Sequence, residues 1–205
     1  MATGDTKLSI CSDALIMLGA SPLSSFSEGT DSAQICDRLY DDIRDMALGM
    51  YPWSFSYKKV QLAQTTNTPV TEWTYEYALP SDRIGSGVRA VFVTPSAGGT
   101  PVNTGWEILG DSLVTNYSTI YVDYQFAPSE DVLPTYFVQL LKYFMAWHIS
   151  EAVTDQITKA EYFQLLSVGS LSENMRGGMF RQATQIDAQN RPNWAIDDFD
   201  LTSVR

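Results

Sequence analysis

The sequence is poor in the residues that most metal sites and many active sites require. Its 205 residues include one histidine, His148, and two cysteines, Cys11 and Cys36. A single histidine excludes a His-rich zinc site, and two cysteines do not form a disulfide scaffold in a chain of this length. Both cysteines stand among apolar residues at helical spacing. We therefore predict that they are small buried hydrophobic residues and not a disulfide pair.

Positive charge and long apolar runs are also scarce. The chain has 13 Lys and Arg residues against 24 Asp and Glu residues, a net charge of −11. Phosphate contacts need clustered Lys and Arg, so this balance disfavours a general DNA-binding surface. An acidic surface instead suits a protein past which DNA slides without sticking. No apolar run approaches the ~18 residues of a membrane span, and no signal-peptide pattern opens the chain, so neither is expected.

Catalytic signatures are missing as well. The chain has no GxSxG, P-loop, HExxH or CxxC motif, and no GxGxxG that opens a helix after a strand. His148 follows Trp147 on an apolar helical face, which favours a core or interface role. Two acidic groups lack the glycine turn and glutamate spacing of a calcium loop, so we interpret them as solvated faces. These groups are Asp41, Asp42 and Asp45, and Asp197, Asp198 and Asp200. We predict no catalytic residue, no cofactor and no metal.

Apolar residues recur at helical spacing near the start of the chain. One helix is predicted over residues 5–19. It ends there because Gly19 can adopt a left-handed conformation and Pro22 cannot continue a helix. A second helix, capped by Asp31 or Ser32, is predicted after a serine-rich loop.

The same helical spacing returns towards the end of the chain. One helix is predicted from the broad apolar face over residues 133–148. The next is predicted to begin at a capping box formed by Thr158 and Glu161. It extends to about residue 186 and bends at the glycine pair 177–178.

Between these helical regions the apolar period changes from 3.6 to 2, which is typical of strands. Trp53 and Phe55 begin this alternation, either as a strand or as an extended lock between helices and strands. Gly110 and Asp111 are typical of a tight hairpin turn. The region predicts a small antiparallel domain of five or six strands.

These patterns predict an α+β fold. Residues 1–54 and 128–188 form an antiparallel bundle of about four helices, because each helix has one apolar face that needs partners. Residues 55–127 form an inserted antiparallel β domain, and residues 189–205 form an extended C-terminal tail. Three apolar residues stand in this otherwise polar tail, and such residues anchor interfaces or fold back on their own subunit. They are Trp194, Phe199 and Leu201.

A family resemblance is carried by three segments: ALIMLGASPLSSFSE at residues 14–28, YDDIRD at residues 40–45 and YPWSF at residues 51–55. They resemble the N-terminal half of the tail tubular protein A and head-to-tail adaptor (connector) proteins of tailed bacteriophages. In that family a helix ends in LGxxP, a short loop carries a glutamate, and a second helix leads to PWxF. The matching positions here are Gly19, Pro22, Pro52, Trp53 and Phe55. YALPSD at residues 77–82, the helical residues 133–175 and DAQNRP at residues 187–192 are also similar.

The resemblance implies a structural virion protein without an active site. It implies a ring, commonly a dodecamer, beneath the portal protein, assembled in the host cytoplasm and located at the head–tail junction. The ring would continue the DNA channel without specific DNA binding or a membrane, and it would dock the next neck or tail protein. The five motif residues would be structural, and Trp194, Phe199 and Leu201 would be candidate anchors to the portal or to a neighbouring subunit.

Three alternatives stay open at this stage. The chain could be another neck or tail ring component, such as a stopper or a tail terminator. It could be a hydrolase, which would require His148 in a polar cleft. It could also be a carbohydrate-binding β module, which would require an exposed platform of Trp73, Tyr75 and Tyr77.

Overall fold

Helices and antiparallel sheets build the α+β fold that the sequence predicts. The structure is a computed structural model that describes residues 4–66, 69–95 and 100–190, with only the backbone described at residues 86 and 87. The helices in these ranges are α1 (Lys7–Leu18), α2 (Asp31–Gly49), α3 (Thr135–Thr154), α4 (Ile157–Val168) and α5 (Gly178–Gln189). The strands are β1 (Tyr57–Gln61), β2 (Tyr75–Ala78), β3 (Arg83–Phe92), β4 (Trp106–Leu109), β5 (Ser112–Thr115) and β6 (Tyr121–Phe126).

The helix α3 is the centre of the bundle. The other four helices all contact it, and its apolar residues point in several directions. Phe137, Leu141 and Phe144 are fully buried. A helix that is apolar around most of its circumference is stable only when neighbours cover it. The bundle is therefore held together mainly by the packing of the other four helices on α3.

The first two helices have side-chain caps, one of which differs from the prediction. Gly19 ends α1 in the left-handed conformation, with φ of 80°, as predicted. The cap of α2 is Thr30, whose Oγ1 accepts a hydrogen bond from the backbone N–H of Ala33 at 3.3 Å. The predicted caps, Asp31 and Ser32, are wrong because both already lie inside the helix.

The C-terminal helical region is broken between Val168 and Gly178, instead of bent at residues 177–178 as predicted, so the described residues hold five α-helices and not four. Gly169 and Gly178 both have positive φ, and a 3₁₀ turn over Leu171–Glu173 separates α4 from α5. The predicted capping box at Thr158 is also wrong, because α4 begins at Ile157 and Thr158 lies in its first turn. A capping box is instead formed by Ser170 and Glu173 at the break.

The six strands form two three-stranded antiparallel sheets with orders β1-β6-β3 and β2-β5-β4. Gly110, with φ of 63°, lies in the predicted hairpin turn between β4 and β5. Residues Ser54–Ser56 form a 3₁₀ turn, so the strand alternative for Trp53 and Phe55 is wrong. The described residues form one apolar core in the bundle and a second core between the sheets. The domain limits at residues 55 and 127 stay a prediction.

The amide of Gln125 joins the sheets to the bundle. This side chain on β6 donates to the carbonyl oxygens of Leu48 and Tyr51 at 2.6 and 3.1 Å. Both carbonyls lie at the end of α2, where intrahelical donors run out. The amide also contacts the hydroxyl of Ser56 at 3.0 Å. One side chain thus links the end of α2, the 3₁₀ turn and the central strand of a sheet.

Two glycine substitutions test the helix ends. We expect Gly19→Ala to lower the free energy of unfolding by about 1–2 kcal/mol, because its φ is positive but no atom lies near the added Cβ. We expect Gly178→Ala to cost more, since its Cβ would also collide with the carbonyl oxygen of Leu166. Urea unfolding of both variants measures the difference. Equal losses would contradict the close approach of α5 to the end of α4.

Candidate functional site

Trp53 is buried at the point where α2 ends. Pro52 stops the helix, and the carbonyl groups of a last helical turn lack intrahelical donors. The indole Nε1–H of Trp53 donates to one of them, the carbonyl of Ala47, at 3.0 Å. The side chain is fully buried. This hydrogen bond holds the indole against the last turn of α2, whereas the role of Trp53 as a lock between the bundle and the β domain stays a prediction.

The indole ring also contacts aromatic rings from three other segments. Its centroid lies 5.1 Å from Phe137 of α3 and 6.0 Å from Phe180 of α5, both with edge-to-face geometry. Phe55 lies at 6.0 Å and packs on Phe137 in turn. Such pairs contribute beyond their buried area. We call the contacts among Trp53, Phe55, Phe137 and Phe180 the Trp53 junction.

A buried carboxylate closes the Trp53 junction. Asp187 on α5 is fully buried, and its oxygens accept from the backbone N–H of Ser54 at 3.1 and 3.0 Å and from the Ser54 hydroxyl at 2.7 Å. The hydroxyl of Tyr136 on α3 also donates to it, at 2.7 Å. Burial and this hydrogen bond raise the pKa of Tyr136. Asp187 therefore ties the last turn of α5 to α3 and to the turn after Trp53.

Asp187 lies close to the end of the described residues. The helix α5 ends at Gln189, two residues after the carboxylate. The candidate anchors Trp194, Phe199 and Leu201, and the acidic residues Asp197, Asp198 and Asp200, lie outside the described residues. Sequence reasoning assigned no role to Asp187. The sequence did contain a sign of this role. Asp187 lies at i+7 on the same helix face as Phe180 (i) and Ala183 (i+3), and a charged residue is unexpected on an apolar face.

The loop between α1 and α2 carries the other motif residues. Pro22 is exposed, and the next residue, Leu23, exchanges two 3.1 Å hydrogen bonds with the hydroxyl of Ser12. Glu28 accepts from the Ser24 hydroxyl and the Thr30 hydroxyl, each at 2.7 Å. Hydrogen bonds from Ser24 and Thr30 lower the pKa of Glu28 to about 2. This glutamate orders the loop that follows Gly19.

His148, Cys11 and Cys36 contact packed side chains and backbone groups. The Nδ1 atom of His148 lies 2.8 Å from the carbonyl oxygen of Phe144, and its ring centroid lies 4.2 Å from that of Trp147. Burial lowers its pKa despite that hydrogen bond. In the part of the chain that the structure describes, no acidic or nucleophilic side chain hydrogen-bonds to it. Cys11 and Cys36 are free and buried, as predicted, and their mutual hydrogen bond with burial raises the pKa of Cys11.

The acidic outer face of α2 is solvated and held by ion pairs. Arg44 contacts Asp41 at 3.1 Å and Asp45 at 3.0 Å, and Lys7 contacts Asp41 at 3.2 Å. Asp42 is exposed. Across the described ranges, no group of three or more His, Cys, Asp or Glu residues is arranged to hold a metal ion.

The outer face of α4 carries exposed apolar side chains beside the exposed Glu161, and sequence reasoning missed these apolar side chains. Four side chains on this helix and on the turn after it are between 54% and 80% exposed. We call them the α4 patch; they are Ile157, Tyr162, Leu165 and Leu171. The helical pattern hid them because α4 also has a buried apolar face, formed by Phe163 and Val168.

We call the two sheets formed by β1 to β6 the β module. It does not present Trp73, Tyr75 and Tyr77 as the exposed aromatic platform that a carbohydrate site would need. Tyr77 is buried, and its hydroxyl donates to the carbonyl of Tyr117 at 2.9 Å. Trp73 precedes β2, and its indole N–H donates to Glu107 at 3.3 Å. The three aromatic residues therefore do not share one exposed face.

Comparisons with known proteins leave the family open. The chain matches no family model and no curated protein. A solved structure described as the neck of an empty gene transfer agent (GTA) particle, computed with C6 symmetry, is similar at 16% identity. The match covers 80% of this chain and 94% of that chain, with a TM-score of 0.28. A TM-score this low supports no conclusion. None of the described helices is both long and apolar enough to cross a membrane.

Removal of the Asp187 carboxylate tests the closure of the Trp53 junction. We expect Asp187→Ala to lower the free energy of unfolding by about 3 kcal/mol, because buried donors of Ser54 and Tyr136 lose their acceptor. Asp42→Ala, at an exposed acidic residue, is the matched control and should change it by less than about 0.5 kcal/mol. Urea unfolding measures both. Similar values for the two variants would contradict the structural role of Asp187.

His148 predicts a pH dependence of stability. Its folded pKa lies below its ordinary value of ~6.5, so the unfolded chain binds the proton more tightly. Stability is therefore lost as the pH falls from neutral through about 6.5. We expect His148→Gln to lose less stability than the wild type over this interval in thermal unfolding at several pH values. The carboxylate of Glu28 does not interfere, because its contribution is lost only below its ordinary pKa of ~4.3. Identical pH profiles would contradict the burial of this ring.

Proposed function

We propose that the chain is a head-to-tail adaptor of a phage-type particle. In this role it forms a dodecameric ring that binds the portal protein, continues the DNA channel and docks the next neck or tail protein. The observation that carries the proposal is the Trp53 junction. Two of the five residues that carry the family resemblance, Trp53 and Phe55, meet there, and Asp187 contacts the turn between them two residues before α5 ends.

The junction suits a protein that acts by assembly. It joins the end of α2, the start of α3 and the end of α5, and Gln125 attaches the β module at the same place. A tail that starts from a fixed point can present its apolar side chains to a partner at a defined position. We assign Trp194, Phe199 and Leu201 as anchors to the portal or to a neighbouring subunit, since aromatic residues bury large areas on binding.

The charge of the chain fits a DNA passage without specific binding. Each copy carries −11, and a ring multiplies that value. A lumen surrounded by negative charge repels phosphate, so the genome moves through it without adhering. The resemblance to the adaptor family adds to the proposal virion localisation, assembly in the host cytoplasm and no membrane partner.

Light scattering of the purified chain mixed with the portal protein of the same particle tests the proposal. We expect a stable complex with one copy of the chain for each portal subunit. A chain that does not bind a closed portal ring would refute the adaptor role. It would instead favour a stopper or tail terminator further along the neck or tail.

The tail assignment has its own test. We expect truncation after Gln189 to weaken portal binding at least about tenfold without changing the unfolding midpoint by more than a few degrees, because the Trp53 junction is retained. Trp194→Ala should give part of this loss. Trp73→Ala, which removes a tryptophan from the β module, is the matched control. Portal affinity that survives truncation would refute the anchoring role of the tail.

A further inference from the structure

Two thiols meet where α1 packs beside α2. Cys11 lies on the buried face of α1 and Cys36 on the buried face of α2, and both side chains are fully buried. A hydrogen bond joins them, and both are free thiols in this structure. They are the two cysteines of the chain, and neither belongs to the Trp53 junction or the α4 patch. The adaptor role therefore leaves this pair of sulfur atoms without a function.

Contacts beside the thiols hold the two helical turns together. Lys7 precedes Cys11 by one turn of α1, and its Nζ contacts Oδ1 of Asp37 at 2.8 Å. The same Nζ donates to the backbone carbonyl of Asp37, the residue after Cys36, at 3.1 Å. It also lies 5.5 Å from the ring centroid of Tyr40, which follows Cys36 by one turn of α2. These contacts keep the two thiols side by side without any bond between the sulfur atoms.

The hydrogen bond makes the two thiols chemically unequal. It lowers the pKa of Cys36, because the Cys11 thiol donates to it, although burial acts in the opposite direction. The same hydrogen bond, together with burial, raises the pKa of Cys11. The thiolate is the form of cysteine that attacks an oxidant. Cys36 is therefore the nucleophile of the pair, and Cys11 is the thiol that reacts second.

We infer that Cys11 and Cys36 form a disulfide when the folded chain meets a peroxide. The Cys36 sulfur attacks one oxygen of hydrogen peroxide, the O–O bond breaks, and the thiol proton leaves with the other oxygen as water. The sulfenic acid on Cys36 is then attacked by the Cys11 sulfur. The S–S bond forms as the S–O bond breaks, and the Cys11 proton leaves with that oxygen as a second water. Two thiols are oxidised, and one peroxide is reduced to two waters.

The disulfide would close residues 11–36 into a covalent loop. This segment contains Gly19, Pro22 and the loop that Glu28 orders. A disulfide stabilises a fold mainly by restricting the unfolded chain. Disulfides persist outside the reducing cytoplasm, so a virion protein would be reduced during assembly and oxidised after release. This timing rests on the proposed function, whereas the disulfide itself does not.

Mass spectrometry of the full chain tests the inference. The folded chain is treated with hydrogen peroxide in native buffer, and its free thiols are then alkylated with N-ethylmaleimide in urea. Trypsin leaves both cysteines on one peptide, residues 8–38, because no Lys or Arg lies between them. We expect this peptide to be lighter by two hydrogen atoms and to carry no maleimide. Dithiothreitol added before alkylation should restore a maleimide on each cysteine.

Thermal unfolding provides a second readout. We expect the unfolding midpoint of the oxidised chain to lie about 5–10 °C above that of the reduced chain. Dithiothreitol should remove this difference. Cys11→Ala and Cys36→Ala are the matched controls, because neither can form the bond, and peroxide should not raise their midpoints. They also report any effect of peroxide on the methionines.

Three results would overturn the inference. One is a folded chain that keeps both thiols available for alkylation after peroxide treatment. Another is oxidation of Cys36 to a sulfinic acid without a disulfide. The third is a disulfide that lowers the unfolding midpoint, since that bond would form only by distorting the contact between α1 and α2. All three are measured without a portal protein, so failure of this inference and failure of the adaptor role are distinguishable.

Discussion

The way the end of α2 is closed is the constraint on which the rest of the structure depends. Because Pro52 stops the helix, carbonyl groups of its last turn lack intrahelical donors. The indole N–H of Trp53 donates a hydrogen bond to one of them, the carbonyl of Ala47. The buried indole then provides the surface on which α3 and α5 pack. This packing buries the backbone N–H of Ser54 and the hydroxyl of Tyr136. The Asp187 carboxylate accepts hydrogen bonds from both, so neither donor is buried without a partner. Without these contacts, the origin of the C-terminal segment would not be fixed against the bundle.

This closure separates the molecule into a fixed body and surfaces free to bind. The body consists of helices around α3 and of sheets attached through Gln125. Among the described residues, these surfaces are the α4 patch and the acidic face of α2. His148, the single histidine, lies against the ring of Trp147 and hydrogen-bonds to the Phe144 carbonyl of its own helix, so its contacts are packing contacts. In the proposed adaptor role, the function of this protein lies in its contacts with other chains.

Sequence periodicity predicted the fold class, the end of α1 at Gly19 and the hairpin at Gly110, because these features depend on neighbouring residues. It missed features that depend on distant residues. The cap at Thr30 and the break at Gly169 follow from backbone conformations that several nearby residues could adopt. Asp187 was missed because its donors, Ser54 and Tyr136, are more than 50 positions away. The α4 patch was missed because apolar periodicity alone does not show whether an apolar helix face is buried within the fold or stays exposed.

Locating the chain in the particle that carries it, by electron cryo-microscopy, tests the central claim most directly. The account predicts a closed ring in contact with the portal, with the C-terminal residues of each copy against a portal or neighbouring subunit. A chain found away from the portal, or present there as copies that do not touch one another, would contradict it.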